Sequence, residues 1–246
     1  ALPLAKNDTT IFVSKPSSIP YLDMTMHLLS GFGIEVGHSD YREFYVEGRQ
    51  RYEPQTYNVE GDWSGASCLL VAGAIAGEVT IRNLNPLSMQ ADVAIIEALS
   101  RAGAEIITTA DSVTVKKRPL EGFRFDATQC PDLFPALVAL AANCHGESVL
   151  TGTERLTHKE SDRALTLQQE FGKMGIEVDI SEENVMYVKG GEIRSATVSS
   201  HNDHRVAMAT AVAGLRSDSQ VVVEDAGAVN KSYPDFWQDL DSLRVK

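Results

Sequence analysis

The sequence predicts a mixed fold of the α+β or α/β class, assembled from repeats of a βαβαββ unit. Three observations lead there. Ala-rich apolar runs return at a nearly constant interval, each opening on an aspartate: Asp62 opens DWSGASCLLVAGAIAGEVTI, Asp132 opens DLFPALVALAANCHGESVLT and Asp203 opens DHRVAMATAVAGLRSDSQVVV. A second run with helical spacing follows the first two at matching places, and alternating β-branched segments then close those copies. Self-similarity at a fixed period is the signature of a repeat architecture, in which one supersecondary unit recurs.

Along the chain, the first recognisable module is YLDMTMHLLSGFGIEV from Tyr21, a helix, a glycine break and a strand. It matches the second helix of later copies, since Asp23 precedes Asp92 by almost the same interval that separates Asp92 from Asp162. TYNVEGD (56–62) reads as a strand leading into the first Ala-rich helix, and GFRFDATQ (122–129) does the same for the next copy. The second helices are DVAIIEALSRAGAEI from Asp92 and DRALTLQQEFGKMGIEV from Asp162, spaced as Asp62 and Asp132 are. Val93, Ile96 and Leu99, like Leu165, Phe171 and Met174, recur at helical spacing, while Gly103 and Gly175 suit helix C-caps. EIITTADSVTVKK (105–117) and EVDISEENVMYVKG (177–190) alternate about polar turns and read as strand pairs. The third copy, from Thr197 to Lys246, is shorter than its neighbours and stops after its second helix, SYPDFWQDLDSL. Its closing strands are expected to come from sequence preceding Ala1.

Composition narrows the function classes. The 246 residues are 43% hydrophobic and 23% charged, ordinary for a globular protein, with a formal net charge of -12. Such a chain does not offer the sustained cationic face that nucleic acid or anionic membrane requires, so any phosphate chemistry must be local. No apolar run reaches the roughly 18 residues of a membrane span, and the start ALPLAKND lacks the features of a signal peptide. Cys68, Cys130 and Cys144 form no CxxC pair, which points away from a disulfide framework and toward a reduced cytoplasmic setting. His201 and His204 stand close together without further ligands, so no structural metal is expected.

Local cations do occur, in HKESDR (158–163) and NDHR (202–205), each opening a helical stretch. Ser161, Asp162, Asn202 and Asp203 read equally well as ordinary helix caps at solvated turns. Lys159 and Arg163 add positive charge to a helix N-terminus, where exposed N–H groups already favour anions. VAMATAVAGL, the helix after NDHR, is almost wholly apolar and should be buried. That places His204 and Arg205 at the mouth of a packed layer, where an arginine clamps a carboxylate or phosphate bidentately. Asp132 starts the corresponding helix one copy earlier, and Lys231 stands one repeat interval after Lys159. Packing about a pseudo-threefold axis would bring these helix starts together.

The stretches SSIPYLDMT (17–25), VEGDWSGAS (59–67), CPDLFPAL (130–137), KESDR, NDHRVAMA (202–209) and NKSYPDF (230–236) resemble the 5-enolpyruvylshikimate-3-phosphate (EPSP) synthase family. They run in the family's order across essentially the whole chain. The resemblance implies the enolpyruvyl transferase fold, with two domains of three βαβαββ units each and an active site in the cleft between them. Residues 1–58 then resemble the end of the shikimate-3-phosphate domain, and residues 59–246 most of the other, its last repeat incomplete. The implied reaction moves the enolpyruvyl group of phosphoenolpyruvate to the 5-hydroxyl of shikimate 3-phosphate, in the shikimate pathway to chorismate and the aromatic amino acids. No metal or organic cofactor is implied, and the parent enzyme is expected to be monomeric.

By motif position, the resemblance assigns Arg163, Arg205 and Lys231 to phosphoenolpyruvate, and Ser18, Tyr21, Lys159 and Asp132 to shikimate 3-phosphate. Addition needs a base for the hydroxyl and an acid for the methylene carbon. Asp132 is the candidate base and Glu160 the carrier of the carbon-bound proton, with His204 supporting their hydrogen bonds. Arg155 stands where many relatives have an asparagine and is a phosphate ligand only as an option, while Ser14 and Ser17 compete with Ser18. Other family segments would precede Ala1, so the piece alone is expected to be inactive without the missing N-terminal part of its own enzyme. Two alternatives remain: the sister transferase acting on UDP-N-acetylglucosamine, and a noncatalytic half-site.

Overall fold

The computed structural model describes residues 1–243; the last three residues of the third repeat lie outside them. The chain divides into two compact units, one of residues 1–59 with 89–91 and the other of residues 60–88 with 92 onward.

In the first unit, β1 (Thr9–Phe12), β2 (Val36–Ser39) and β3 (Glu43–Val46) form an antiparallel sheet in the order β1-β3-β2. Between β1 and β2 runs α1 (Ile19–Gly31), entered through Ser18 in a left-handed conformation and with Pro20 in its first turn. Its end shows the repeat at backbone level. Gly33 has φ +77, its N–H reaches the Ser30 carbonyl, and the Ile34 N–H reaches the Leu29 carbonyl. Gly103 (φ +94) and Gly175 (φ +83) end the second helices with the same pair of bonds, to Ser100 and Leu99 and to Gly172 and Phe171. A left-handed residue is needed at each position, and glycine adopts that conformation without a Cβ clash.

The second unit is built around three apolar helices, α2 (Trp63–Ala76), α4 (Phe134–Ala142) and α6 (His204–Ala213). They are the first helices of the three copies, and each touches the other two. Every residue of α4 and all but the last of α2 are buried. A helix apolar on all sides is stable in water only where neighbours cover it, and these helices cover one another and are covered by sheets. Each copy supplies its own sheet. The middle copy is complete, with β7 (Arg124–Asp126), β8 (Glu147–Thr151), β9 (Glu177–Asp179) and β10 (Val185–Lys189) in the order β7-β8-β10-β9. The first copy has β4 (Glu78–Arg82), β5 (Glu105–Thr108) and β6 (Ser112–Lys116) in the order β4-β6-β5, and the third has the parallel pair β11 (Ala196–Ser199) and β12 (Val221–Glu224).

The second helices, α3 (Ile95–Arg101), α5 (Arg163–Lys173) and α7 (Phe236–Ser242), complete the pattern. Two expectations need correction. The strand expected at TYNVEGD does not form: the backbone of that segment is irregular, and the Gly61 N–H donates to the neighbouring Asn83 carbonyl. Most of the segment is exposed, so no packed face holds it as β7 is held against β8. In addition, α3 and α4 start later than expected, since Asp92 and Asp132 lie in short 3-10 turns, Ala91–Ala94 and Pro131–Leu133.

Candidate active site at the helix starts

The aspartates of the repeat take different jobs at equivalent positions. Asp62 caps α2 by accepting from the Ser64 and Gly65 N–H groups, and Asp203 caps α6 by accepting from the Arg205 N–H. Asp132, held inside its 3-10 turn, instead faces cations. Its Oδ1 accepts from Lys159 Nζ at 2.9 Å and Arg163 Nη1 at 2.7 Å, and its Oδ2 lies 3.7 Å from Arg205 Nη2. Desolvation works against its charge, but Arg205, Lys159 and Arg163 outweigh burial and hold the carboxyl well below the usual range. Lys159 arrives from the 3-10 helix Thr153–His158, and Arg163 is the first residue of α5, capped by Asp162 through the Leu165 N–H.

Arg163 is the hub of this network and is fully enclosed. Nε donates to Asp203 Oδ2 at 2.8 Å, Nη2 donates to Glu160 Oε2 at 2.6 Å and to Asp203 Oδ1 at 3.4 Å, and Nη1 serves Asp132. A guanidinium has five N–H donors in a fixed fork, so three carboxylates occupy most of its capacity. Glu160, at the exposed edge of the network, also lies 3.8 Å from His204 Nδ1, a buried nitrogen with no hydrogen-bond partner. Burial and then Arg205 lower the His204 pKa, which keeps the imidazole neutral near pH 7.

Arg205 is less enclosed than Arg163, and Lys231 is exposed. Lys231 closes the 3-10 helix Ala226–Lys231, the counterpart of the turn that ends just before Lys159, and donates to the Asn202 carbonyl at 2.6 Å. That carbonyl belongs to a turn in which His201 (φ +49) and Asn202 (φ +57) are both left-handed. Buried Glu170 braces it, accepting from the Ser199 N–H at 2.8 Å and meeting His201 Nε2 at 2.7 Å, with Lys173 Nζ as a further partner. Ser18 and Tyr21 lie at the start of α1 in the first unit, where the Ser18 carbonyl accepts from the Tyr21 N–H. Arg155 is half-buried in the turn before Lys159. The second unit thus gathers Asp132, Lys159, Glu160, Arg163, His204 and Arg205.

Glu170 and Asp92 were not among the sequence candidates. Their signal in the sequence was slight: a glutamate facing i+3 Lys173 on a helix looks like a solvated pair, and Asp92 like a cap. Among the described residues no group of three or more His, Cys, Asp or Glu side chains is arranged to hold a metal ion, and no helix is long and apolar enough to cross a membrane.

A sequence profile for EPSP synthase (3-phosphoshikimate 1-carboxyvinyltransferase) matches residues 1–240. The chain belongs to the EPSP synthase family. Curated relatives named 3-phosphoshikimate 1-carboxyvinyltransferase include one from Clostridium novyi, 35% identical over 98% of this chain and 56% of its own length. Another, from Dehalococcoides mccartyi, is 42% identical over 94% of this chain and 54% of its own length. A solved EPSP synthase from Acinetobacter baumannii superposes with a TM-score of 0.81 at 26% identity, over 97% of this chain and 57% of that one. The fold is therefore that of the EPSP synthases, and the chain spans a little over half the length of the relatives it matches.

Proposed function

We propose that this EPSP synthase family chain contributes the anion-binding and proton-transferring helix starts of an enzyme that transfers the enolpyruvyl group of phosphoenolpyruvate to the 5-hydroxyl of shikimate 3-phosphate. One observation supports this reading above the others: Lys159, Arg163 and Arg205 converge on the single carboxylate of Asp132. In an acidic chain, that concentration of cations suits multiply anionic substrates. Arg205 and Lys231 would receive the carboxylate and phosphate of phosphoenolpyruvate. Arg163 would join them only when Glu160 or Asp132 releases it. Lys159 and Asp132 would address shikimate 3-phosphate, Arg155 is a further phosphate ligand in this scheme, and Ser18 and Tyr21 are assigned to the same substrate by motif position.

The network also supports a sequence of roles for the carboxylates. Asp132 is a poor base while three cations hold it, since each stabilises its anion. When substrate anions draw those cations away, its proton affinity rises, which is what a general base for the attacking hydroxyl needs. Glu160 would deliver and remove the methylene proton, with neutral His204 beside it as a hydrogen-bonding partner. All three thiols are buried, and burial pushes Cys68 up to about 11 and Cys130 to about 12, so neither of these is poised as a nucleophile.

Titration calorimetry with phosphoenolpyruvate and shikimate 3-phosphate, beside a phosphate-release assay, tests the proposal. Binding of either substrate that is lost in Arg205→Gln supports it, and turnover lost in Asp132→Asn of an intact enzyme supports the assigned base. Binding without turnover would reduce the chain to a half-site, and no binding of either substrate would overturn the reading.

A further inference from the structure

Glu170 lies in α5 with 1% of its surface exposed, and none of the roles above uses it. A carboxylate is costly to bury unless donors fill its oxygens. Here they are filled: Oε1 accepts from Lys173 Nζ at 2.9 Å and His201 Nε2 at 2.7 Å, while Oε2 accepts from the Ser199 N–H at 2.8 Å and Lys173 Nζ at 2.7 Å. An ionised carboxylate only accepts, so the His201 nitrogen that faces it carries the proton, and a glutamine would turn an amide N–H toward some of these donors. Lys173 belongs to the same helix and would pair with a glutamate at the surface equally well. The bonds to Ser199 and His201 are what the buried position adds.

Those two bonds fix an unfavourable turn. His201 (φ +49) and Asn202 (φ +57) are left-handed in succession, a conformation that residues other than glycine keep only where their surroundings impose it. Ser200, fully buried, extends the brace: its Oγ accepts from the Asn202 N–H at 3.1 Å and donates to the Asp225 carbonyl at 3.1 Å. Asp225 is itself left-handed (φ +53) and opens the 3-10 helix that ends in Lys231. The brace therefore holds both ends of one bond, the Asn202 carbonyl and the helix that brings Lys231 Nζ within 2.6 Å of it. That acceptor is neutral, so it places the ammonium without cancelling its charge, whereas Asp132 pairs Lys159 and Arg163. We propose that Glu170 is a positioning residue for anion binding: through Ser199 and His201 it holds the turn whose Asn202 carbonyl sets the Lys231 ammonium in place. The proposal rests on reading Lys231 as an anion-binding group, and in it Glu170 touches no ligand.

The test uses the 246-residue chain, with phosphoenolpyruvate as the probe in calorimetry. Glu170→Gln should weaken binding about 3- to 10-fold, the range in which residues that touch no ligand modulate a site. Lys173→Met removes an exposed ion pair but leaves the bonds to Ser199 and His201, and should change binding by less than about twofold. In a Lys231→Met background, Glu170→Gln should add no further loss. A role in general packing would lower binding equally in both backgrounds; that result, or equal effects of Glu170→Gln and Lys173→Met, overturns the proposal. A ligand-free arm follows the Lys231 side-chain NMR signals, identified by their loss in Lys231→Met. They should move to the position of freely exposed lysines in Glu170→Gln and stay in place in Lys173→Met; signals unmoved in Glu170→Gln overturn the positioning. Should Glu170→Gln fail to fold, His201→Asn replaces it, because asparagine accepts the left-handed backbone but is too short to replace the ring at Glu170. Lys231 signals that stay in place there overturn the proposal equally. Phosphoenolpyruvate binding that is absent from the parent or unchanged in Lys231→Met defeats the anion-site reading of Lys231 instead, and the ligand-free arm then judges the positioning by itself.

Discussion

Arg163 and Asp203 form a buried pair in which neither side chain meets solvent. Removing Asp203 strips the enclosed guanidinium of the bonds from Nε and one from Nη2, while Asp132 and Glu160 still pair its charge. Asp203→Ala should therefore cost about 2–4 kcal/mol in urea unfolding, the lost charge-assisted bonds adding to the lost cap. The same residues set the acid limit. Burial opposes the charge of Asp203, but Arg163 overcomes it and holds the carboxyl below its ordinary value; Asp132 is held low by the same balance. Their folded forms bind protons more weakly than the unfolded chain. The stabilisation is complete above the unfolded carboxylate pKa of about 4 and is lost as pH falls through the folded values. Circular dichroism between pH 5 and pH 2 should show the stability gap between the parent and Asp203→Asn shrinking as pH falls.

Two glycines separate the turns that carry the site from the helices that merely support it. Gly152 has φ +105 and opens the 3-10 helix that leads to Lys159, and a Cβ there would stand 2.6 Å from the Thr128 backbone nitrogen. Gly152→Ala is expected to lose on the order of 2–3 kcal/mol and to weaken the Lys159–Asp132 contact. Urea unfolding and the Lys159 side-chain NMR signals measure both. Gly172 lies within α5, where a Cβ would meet nothing within 4 Å. Gly172→Ala should stabilise by about 0.5–1 kcal/mol, because alanine loses less backbone freedom in a helix. Equal effects of the two substitutions would contradict this account. Helix α5 also explains why Glu170 escaped notice in the sequence: its i+3 partner Lys173 is visible there, but its bonds to Ser199 and His201 reach into the next copy of the repeat.

Across the second unit, α2, α4 and α6 pack on one another and so hold the helix starts together. Phe134, fully buried in the first turn of α4, connects stability to function. Phe134→Ala should cost about 3–5 kcal/mol and reduce substrate binding measured by calorimetry at a temperature where the variant is still folded. Much of this organisation was legible in the sequence, because a helix that is apolar all round must be buried and a pattern recurring at a fixed interval must be one unit repeated. Gly103 and Gly175 could be read as helix ends because left-handed backbone selects glycine. The sequence by itself thus determined the repeat, the family and which segments bear the charges. Only the tertiary structure decided how those charges pair: that Asp132 faces three cations while its repeat mates cap helices, that Arg163 is enclosed by three carboxylates, and that Asp92 is buried against the Ser64 hydroxyl. The reason is physical. Periodicity and propensity are local properties of the chain, whereas the partner of a charge is chosen by contacts between residues far apart in sequence.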